Sequence, residues 1–241
     1  MRILAWNIRG GSQPGIIEVV KTAAPDVAVL SDCRPDHYIR LAAELRGGGF
    51  EWLAGTNQAD ETGVLIASRM PMRPGSTSSR VLPGHWCHMW LPAVRVSIVG
   101  VYGPLYRKGV ARLVPRFWEE LLQSAKELAT HSAVLVGDLN TATAARDTTS
   151  GYPLLAGKEL QRLADDGWRD AFREVHGDRS AYSYWDSRGG YRIDHAMLSP
   201  AAPLARDAEY VRDLAGYRLG RLPGEAETPI ASDHAALLFD L

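Results

Sequence analysis

Ser232-Asp233-His234-Ala235-Ala236-Leu237-Leu238-Phe239 places a polar triplet at the entrance to an apolar run. A strand entered through Asp233 and His234 holds both side chains at the end of a sheet, where a metal or a phosphate can meet them. Three other clusters share this grammar. Trp6-Asn7 closes the first apolar strand, Gly137-Asp138-Leu139-Asn140 closes Ala133-Val134-Leu135-Val136, and Tyr191-Arg192-Ile193-Asp194-His195 opens Ala196-Met197-Leu198. Carboxylates, carboxamides and a histidine at the ends of separate strands predict one converging site. Asp138 and Asn140 are expected to alternate along one strand end, their side chains on the same side and Leu139 directed into the core.

Outward from these clusters, strand-like apolar runs alternate with helical segments. The pattern predicts strands over 3–6, 27–30, 51–54, 64–67, 89–91, 94–101, 134–136, 181–185, 192–198 and 235–241. It predicts helices near 15–22, 36–45, 109–129, 158–166 and 168–175, with Gly and Pro punctuating 71–84. Strands spread along the chain with helices between them fit a mixed α/β class, two packed sheets covered by helices. At 241 residues and 46% hydrophobic composition, undivided by a repeat or linker, the chain is expected to form one domain over 1–241.

Composition narrows the functional classes. Lys and Arg number 27 against 28 Asp and Glu, a net charge of −1. That balance argues against indiscriminate polyanion binding, because non-specific nucleic-acid affinity comes from a basic surface that neutralises phosphates. A local patch is compatible with it: Arg107, Lys108, Arg112 and Arg116 follow Tyr102-Gly103-Pro104 and either meet phosphate or form the solvated face of the next helix. Cys33 and Cys87 are too few for a disulfide framework and point to a reduced compartment. There is no apolar run of about 18 residues, and Met1-Arg2-Ile3-Leu4 enters a strand at once, so no membrane span and a cytoplasmic location are expected. His85-Trp86-Cys87-His88 has metal-ligating residue types, but its spacing suits strand alternation better than a zinc site.

Asn7, Asp32, Tyr102, Asp138-Leu139-Asn140, Asp194 and Ser232-Asp233-His234 follow one another in an order and spacing that resembles the endonuclease/exonuclease/phosphatase superfamily. The resemblance implies a four-layer α/β/β/α sandwich and hydrolysis of phosphate esters supported by Mg²⁺ or Mn²⁺. It also implies the roles. Asp32, Asn7 and Asp233 would stand on the metal side, Asp138 would activate water, and Asn140 would hold a phosphate oxygen. Asp194 would fix the ring of His234, which partners the scissile phosphate, and Tyr102 would donate to that phosphate. Read without the resemblance, Asp138 and Asn140 are an Asx turn, Asp32 is a helix N-cap, and Tyr102 is an aromatic plug.

Three positions depart from the superfamily pattern. Leu105, directly after Tyr102-Gly103-Pro104, stands where related abasic-site enzymes have Asn, so one substrate contact is expected to be lost. Asp32 stands where glutamate is usual, so the metal must shift or a water must intervene. Arg9 stands where related abasic-site enzymes have Asp or Asn; a cation there opposes a second metal and can clamp a phosphate. One principal metal is therefore expected. The segments Trp168-Arg169-Asp170-Ala171-Phe172-Arg173, Tyr182-Ser183-Tyr184-Trp185 and Tyr191-Arg192-Ile193-Asp194 resemble the exonuclease III and abasic-site endonuclease branch. In that branch the last two line a slot for an extruded abasic sugar, which makes Tyr184, Trp185, Tyr191 and Ile193 the pocket candidates, with core packing as the alternative. The resemblance thus implies duplex DNA as substrate, incised at abasic sites or trimmed from 3′ ends in repair, by a monomer with no obligate partner. Two other readings stand beside it: a phosphatase or phosphodiesterase for a small or lipid phosphate, and a catalytically weakened nucleic-acid-binding module.

Overall fold

The computed structural model describes residues 1–56, 62–105, 110–143, 146–222 and 230–241. Arg107 and Lys108 of the basic segment lie outside these residues, while Arg112 and Arg116 are exposed. The first half of the chain runs β1 (Arg2–Gly10), α1 (Ile16–Ala23), β2 (Val27–Cys33), α2 (Pro35–Gly47), β3 (Trp52–Gly55), β4 (Gly63–Ser68), β5 (Arg73–Pro74), β6 (Trp86–Leu91), β7 (Val96–Tyr102), α3 (Val114–Leu128) and β8 (Ala133–Asp138). It continues through α4 (Gly157–Asp165), β9 (Arg169–Asp170), α5 (Ala171–His176), β10 (Tyr184–Asp186), β11 (Gly189–Tyr191), β12 (Asp194–Leu198), β13 (Asp207–Val211), β14 (Asp213–Leu214), β15 (Tyr217–Leu219), β16 (Ile230–Ser232) and β17 (Ala236–Asp240).

Among the described residues, two six-stranded sheets dominate, ordered β13-β17-β1-β2-β4-β3 and β5-β6-β7-β8-β12-β9. Each is mixed. β1 and β2 are parallel inside the first, β7 and β8 inside the second, and the other neighbours are antiparallel. Both faces of the central strands are buried, which is why they read as unbroken apolar runs instead of alternating ones. Ile3, Ala5, Val27 and Val29 point between the sheets and share one core with Ile98, Val134, Val136, Ala196 and Phe239. Leu4, Trp6, Ile8 and Leu30 point the other way, under Ile16, Val19 and Val20 of α1 and Leu41 and Leu45 of α2. Phe117, Trp118, Leu121 and Leu128 of α3 cover the outer face of the second sheet with Leu160 and Leu163 of α4. The result is the expected four-layer sandwich.

Close packing at the centre depends on Gly100, where an added Cβ would lie 2.8 Å from Val64 and 2.9 Å from Val29 across the inter-sheet gap. Several expectations shift in detail. The helix expected from 109 begins at Val114 with Pro115 in its first turn, and its last residues match. The helix expected over 168–175 opens as the short strand β9 and becomes helical at Ala171, where the Asp170 side chain accepts from the Arg173 N–H as an N-cap. The N-cap of α2 is Arg34 and not Asp32, so the structural alternative for Asp32 falls away. His88 takes part in strand β6, its Nδ1 bonded to Thr77, which leaves the His85-to-His88 segment structural. Both thiols are buried and unpaired, and burial pushes each up to about 12, far from reactive.

Candidate active site

β8 ends at Asp138 and the antiparallel β12 begins at Asp194, and the two residues sit directly opposite in the ladder. Like charges so placed repel, and both carboxylates are buried. Partners from other elements compensate. Asn7, at the end of β1 in the facing sheet, donates its Nδ2–H to Asp138 Oδ2 at 2.8 Å, and the Asn140 N–H donates to Oδ1 at 2.8 Å. Both oxygens are therefore held. Burial and then Asp194 push the Asp138 carboxyl up, while His234, Asn7 and the Asn140 N–H oppose the shift, which brings its affinity for a proton toward that of a working base.

His234 Nδ1 lies 2.8 Å from Asp194 Oδ2. Burial alone would favour a neutral ring, but Asp194, aided by Asp138 and Asp233, overrides it and raises the imidazole, favouring the charged form. The backbone of His234 is held as well. Its own carbonyl accepts from Trp6 Nε1 at 3.0 Å, its N–H donates to Ser232 Oγ, and Ser232 in turn donates to the Asn7 carbonyl at 2.6 Å. Tyr184 packs its ring against the imidazole with 4.9 Å between centres. Ser232-Asp233-His234 thus ties β16 and β17 to β1.

The backbone bends at the positions that reach the site. Arg9, Asp32 and Asn140 are non-glycine residues with positive φ of 47°, 54° and 49°, and all three line one cleft. Pairing slips between Asn7 and Gly10 on β1 and between Leu30 and Cys33 on β2, so both strands bulge at the level of Arg9 and Asp32. Strained residues of this kind persist where surrounding structure holds them and cluster at functional sites. The expectation that Asp138 and Asn140 simply alternate along a strand is corrected. β8 stops at Asp138, Asn140 turns left-handed, and its Nδ2 donates to the Gly103 carbonyl at 2.7 Å. Gly103 must be glycine, since a Cβ would stand 2.1 Å from the Leu139 carbonyl oxygen. Leu139 faces the core as expected.

The cleft encloses about 450 Å³ and brings together Asn7, Arg9, Asp32, Tyr102, Asp138, Asn140, Asp233 and His234. Of the pocket candidates, Tyr184, Tyr191 and Ile193 join its wall. Trp185 does not. It sits between Tyr184 and Asp186 on β10, so its side chain leaves by the other face, over Gly190 and edge-on to Tyr182. Its alternative, packing, is what the structure supports. Sequence reading missed Leu154, Leu155, Asp186 and Arg188 as lining residues. Asp186 pairs with Gly189, so Ser187 and Arg188 alone make the turn of this hairpin, and Arg188 folds back onto Asp186. Behind the wall lies a buried charge network. Arg192 donates to Asp147 at 2.7 Å and to Asp170 at 2.6 Å, Arg173 also reaches Asp147, and His195 Nε2 donates to the Thr141 carbonyl.

The profile of the endonuclease/exonuclease/phosphatase family matches residues 4–234, a span that begins in β1 and ends at His234. The chain belongs to this family. Two solved structures share its fold along the whole chain. One is a 3′ phosphatase from Neisseria bound to a product DNA hairpin, 23% identical, covering 100% of this chain and 98% of that chain with a TM-score of 0.76. The other is an AP endonuclease from Archaeoglobus fulgidus, 18% identical, with the same coverage and a TM-score of 0.79. No curated protein sequence matches the chain. The chemistry that the family name covers is hydrolysis of phosphate esters.

A divalent ion is the group to test against this endonuclease/exonuclease/phosphatase site. Ligand atoms of Asp138, Asp194 and His234 lie within 4.8 Å of one another. Yet His234 Nδ1 and Asp194 Oδ2 are bonded to each other, and both oxygens of Asp138 accept N–H donors. That trio is arranged to hold protons. The cleft-lining oxygens of Asp32, Asp233 and Asn7 are hard donors from separate strand ends; Asn7 Oδ1 also accepts from the Arg9 N–H at 2.9 Å, which leaves it one lone pair, and the set suits a Mg²⁺ or Mn²⁺ that keeps several waters. The Arg9 guanidinium stands 3.8 Å from Asp233 and brings a fixed positive charge beside that carboxylate.

Proposed function

We propose that this chain is a divalent-metal-dependent phosphodiesterase acting on DNA, at abasic sites or at 3′ ends. The observation that carries the reading is the pairing of two buried devices on one cleft floor, Asn7 with Asp138 and Asp194 with His234. Asp138, with its oxygens oriented by Asn7 and the Asn140 N–H, takes the proton of an attacking water. His234, charged beside Asp194, donates to the phosphate oxygen on which negative charge builds. Arg9 and Tyr102 hold the remaining phosphate oxygens, with the Asn140 carboxamide beside them. A metal held by Asp32, Asp233 and Asn7 would supply further positive charge against the phosphate. Tyr184, Tyr191 and Ile193 give the cleft an apolar side that suits a sugar without a base.

The test is an end-labelled duplex with one abasic-site analogue, set beside an intact duplex, with Mg²⁺, Mn²⁺ or chelator. Incision at the abasic position that chelator abolishes supports the repair-type reading. Equal cutting of both duplexes makes the chain a general nuclease, and cutting of neither removes DNA in favour of small or lipid phosphate esters. A metal titration adds a sharper expectation. Asp32→Asn, which keeps a side chain that tolerates the left-handed backbone, should raise the Mg²⁺ concentration for half-maximal rate by about 10-fold or more, at a nearly unchanged melting temperature. Superimposable titration curves for the two proteins would take Asp32 out of the metal set.

A further inference from the structure

Large apolar side chains left exposed on a folded chain are ordinary when scattered, and Ile39, Val94 and Leu204 stand apart on separate elements. Leu105 and Leu155 are different. They are 49% and 62% exposed, they come from two distant segments, and both line the same cleft as the catalytic groups. Tyr152, 76% exposed, is carried by the same loop as Leu155, and Leu154 lies in the cleft wall beside it. The polar floor of the cleft is thus rimmed on one side by aliphatic carbon.

The loop that presents Leu155 is pinned. The buried Thr141 donates its hydroxyl to the Leu155 carbonyl at 2.7 Å, and the Leu154 N–H donates to the Ala142 carbonyl at 3.2 Å. Thr148 donates to the Tyr152 carbonyl at 3.0 Å, and Gly157 approaches so closely that a Cβ would stand 2.6 Å from the Ala142 oxygen. The backbone is therefore tied to the segment directly after Asn140, while the Leu155 side chain is turned out to water. On the other segment, Leu105 follows Tyr102 by three residues. Rigid backbone that holds apolar side chains in solvent beside a phosphate site gives folding nothing and gives a ligand a prepared contact.

The ligand must offer a phosphate to the floor and a flat apolar face within one residue of it. A nucleotide does both. We propose that Leu105 and Leu155 form an apolar lip that receives the face of the nucleobase adjoining the scissile phosphate. This rests on the DNA reading of the same cleft. Leu105, Leu154 and Leu155 have no side-chain hydrogen-bonding groups to match a base edge, so the contact distinguishes bases by the area of their faces alone. Purines are favoured over pyrimidines at that position, and no particular sequence is selected.

The experiment uses the full chain, chelator and low salt, so that nothing is cut. The duplex carries an abasic-site analogue, 2-aminopurine at the adjoining position and a distant fluorescein. Anisotropy reports binding and 2-aminopurine emission reports the contact. Wild type is expected to bind and to change the 2-aminopurine emission. Leu155→Ser and Leu105→Ser are each expected to lose most of that change and to bind about 5- to 10-fold more weakly, while the distant Leu204→Ser behaves as wild type. These side chains are exposed, so unchanged melting temperatures should accompany the loss. Wild-type emission changes retained in both lip variants would overturn the lip and leave the DNA reading intact. No anisotropy change with wild type would overturn both.

Discussion

His234→Ala is expected to lower kcat for metal-dependent phosphodiester cleavage by about 10³-fold, with a much smaller effect on KM. The reason is timing. Negative charge grows on the phosphate oxygens as water attacks, and a cationic donor is worth more to that state than to the bound substrate. His234 is held in place for this by Asp194 at 2.8 Å and by the Ser232 and Trp6 bonds to its backbone, so it is ready before substrate arrives. Asp194→Asn keeps the shape of the pair but removes the carboxylate that raises the imidazole, and its loss should be of the same order. Because Tyr184 rests on the ring, circular dichroism and melting of each variant must accompany the kinetics. A His234→Ala protein that folds normally and keeps more than about a tenth of the rate would remove the histidine from the mechanism.

The second large effect concerns stability. Arg192 is 2% exposed and neutralises Asp147, itself 1% exposed, together with Asp170. Arg192→Leu fills the space but leaves the buried Asp147 with Arg173 as its remaining ion-pair partner and the half-buried Asp170 with His195, and breaking such a network from one side costs about 3–5 kcal/mol. For a chain of this size that corresponds to a melting temperature lower by roughly 6–20 °C. The dependence on pH carries the same signature. Burial alone would raise the Asp147 carboxyl, but Arg192 overrides it and holds it at about 2, and Asp170 is likewise held well below the usual carboxylate range. Carboxyls depressed in the folded state stabilise fully above the unfolded value of about 4, and that contribution is lost as pH falls through the folded value. Melting temperatures of wild type and Arg192→Leu should therefore differ most near neutrality and converge as pH drops from about 4 toward about 2. A gap that stays constant across that range would mean the network stabilises by packing and not by charge.

Most of the proposed catalytic set was legible in the chain because each member ends or opens an apolar run, and a run's end is visible in one dimension. Asp138, Asp194 and His234 were readable as residues. Their geometry was not, since the opposition of Asp138 to Asp194 depends on strand register, and the reach of Asn7 to Asp138 depends on how two sheets stack. Trp185 was misplaced because a three-residue strand has too little alternation to show which face it presents. The left-handed turns at Arg9, Asp32 and Asn140 carry no glycine to announce them. The Arg192 network escaped because its partners lie 45 and 22 residues away, and a charged residue in sequence reads as surface. Leu155 escaped for the opposite reason, since an apolar residue reads as core, whereas Leu105 was noticed only as a missing polar contact.

The two large sheets repeat one plan. Read from β13 and from β9, the orders β13-β17-β1-β2-β4-β3 and β9-β12-β8-β7-β6-β5 step through the same directions, with a single parallel pair in the third place. Asn7, the last residue of β1 before its pairing slips, and Asp138 thus lie at the same end of equivalent strands, Asp32 and Tyr102 lie near the ends of another equivalent pair, and Asp194 and His234 lie at or just before the entries of a third. A duplicated frame has no built-in left and right. What distinguishes one side of a bound phosphate ester from the other is that each duplicated position has been given unlike chemistry: carboxamide against acid, carboxylate against phenol, imidazole against carboxylate. Polarity in this enzyme is a property of three mismatched pairs of side chains, laid over a scaffold that is itself indifferent to direction.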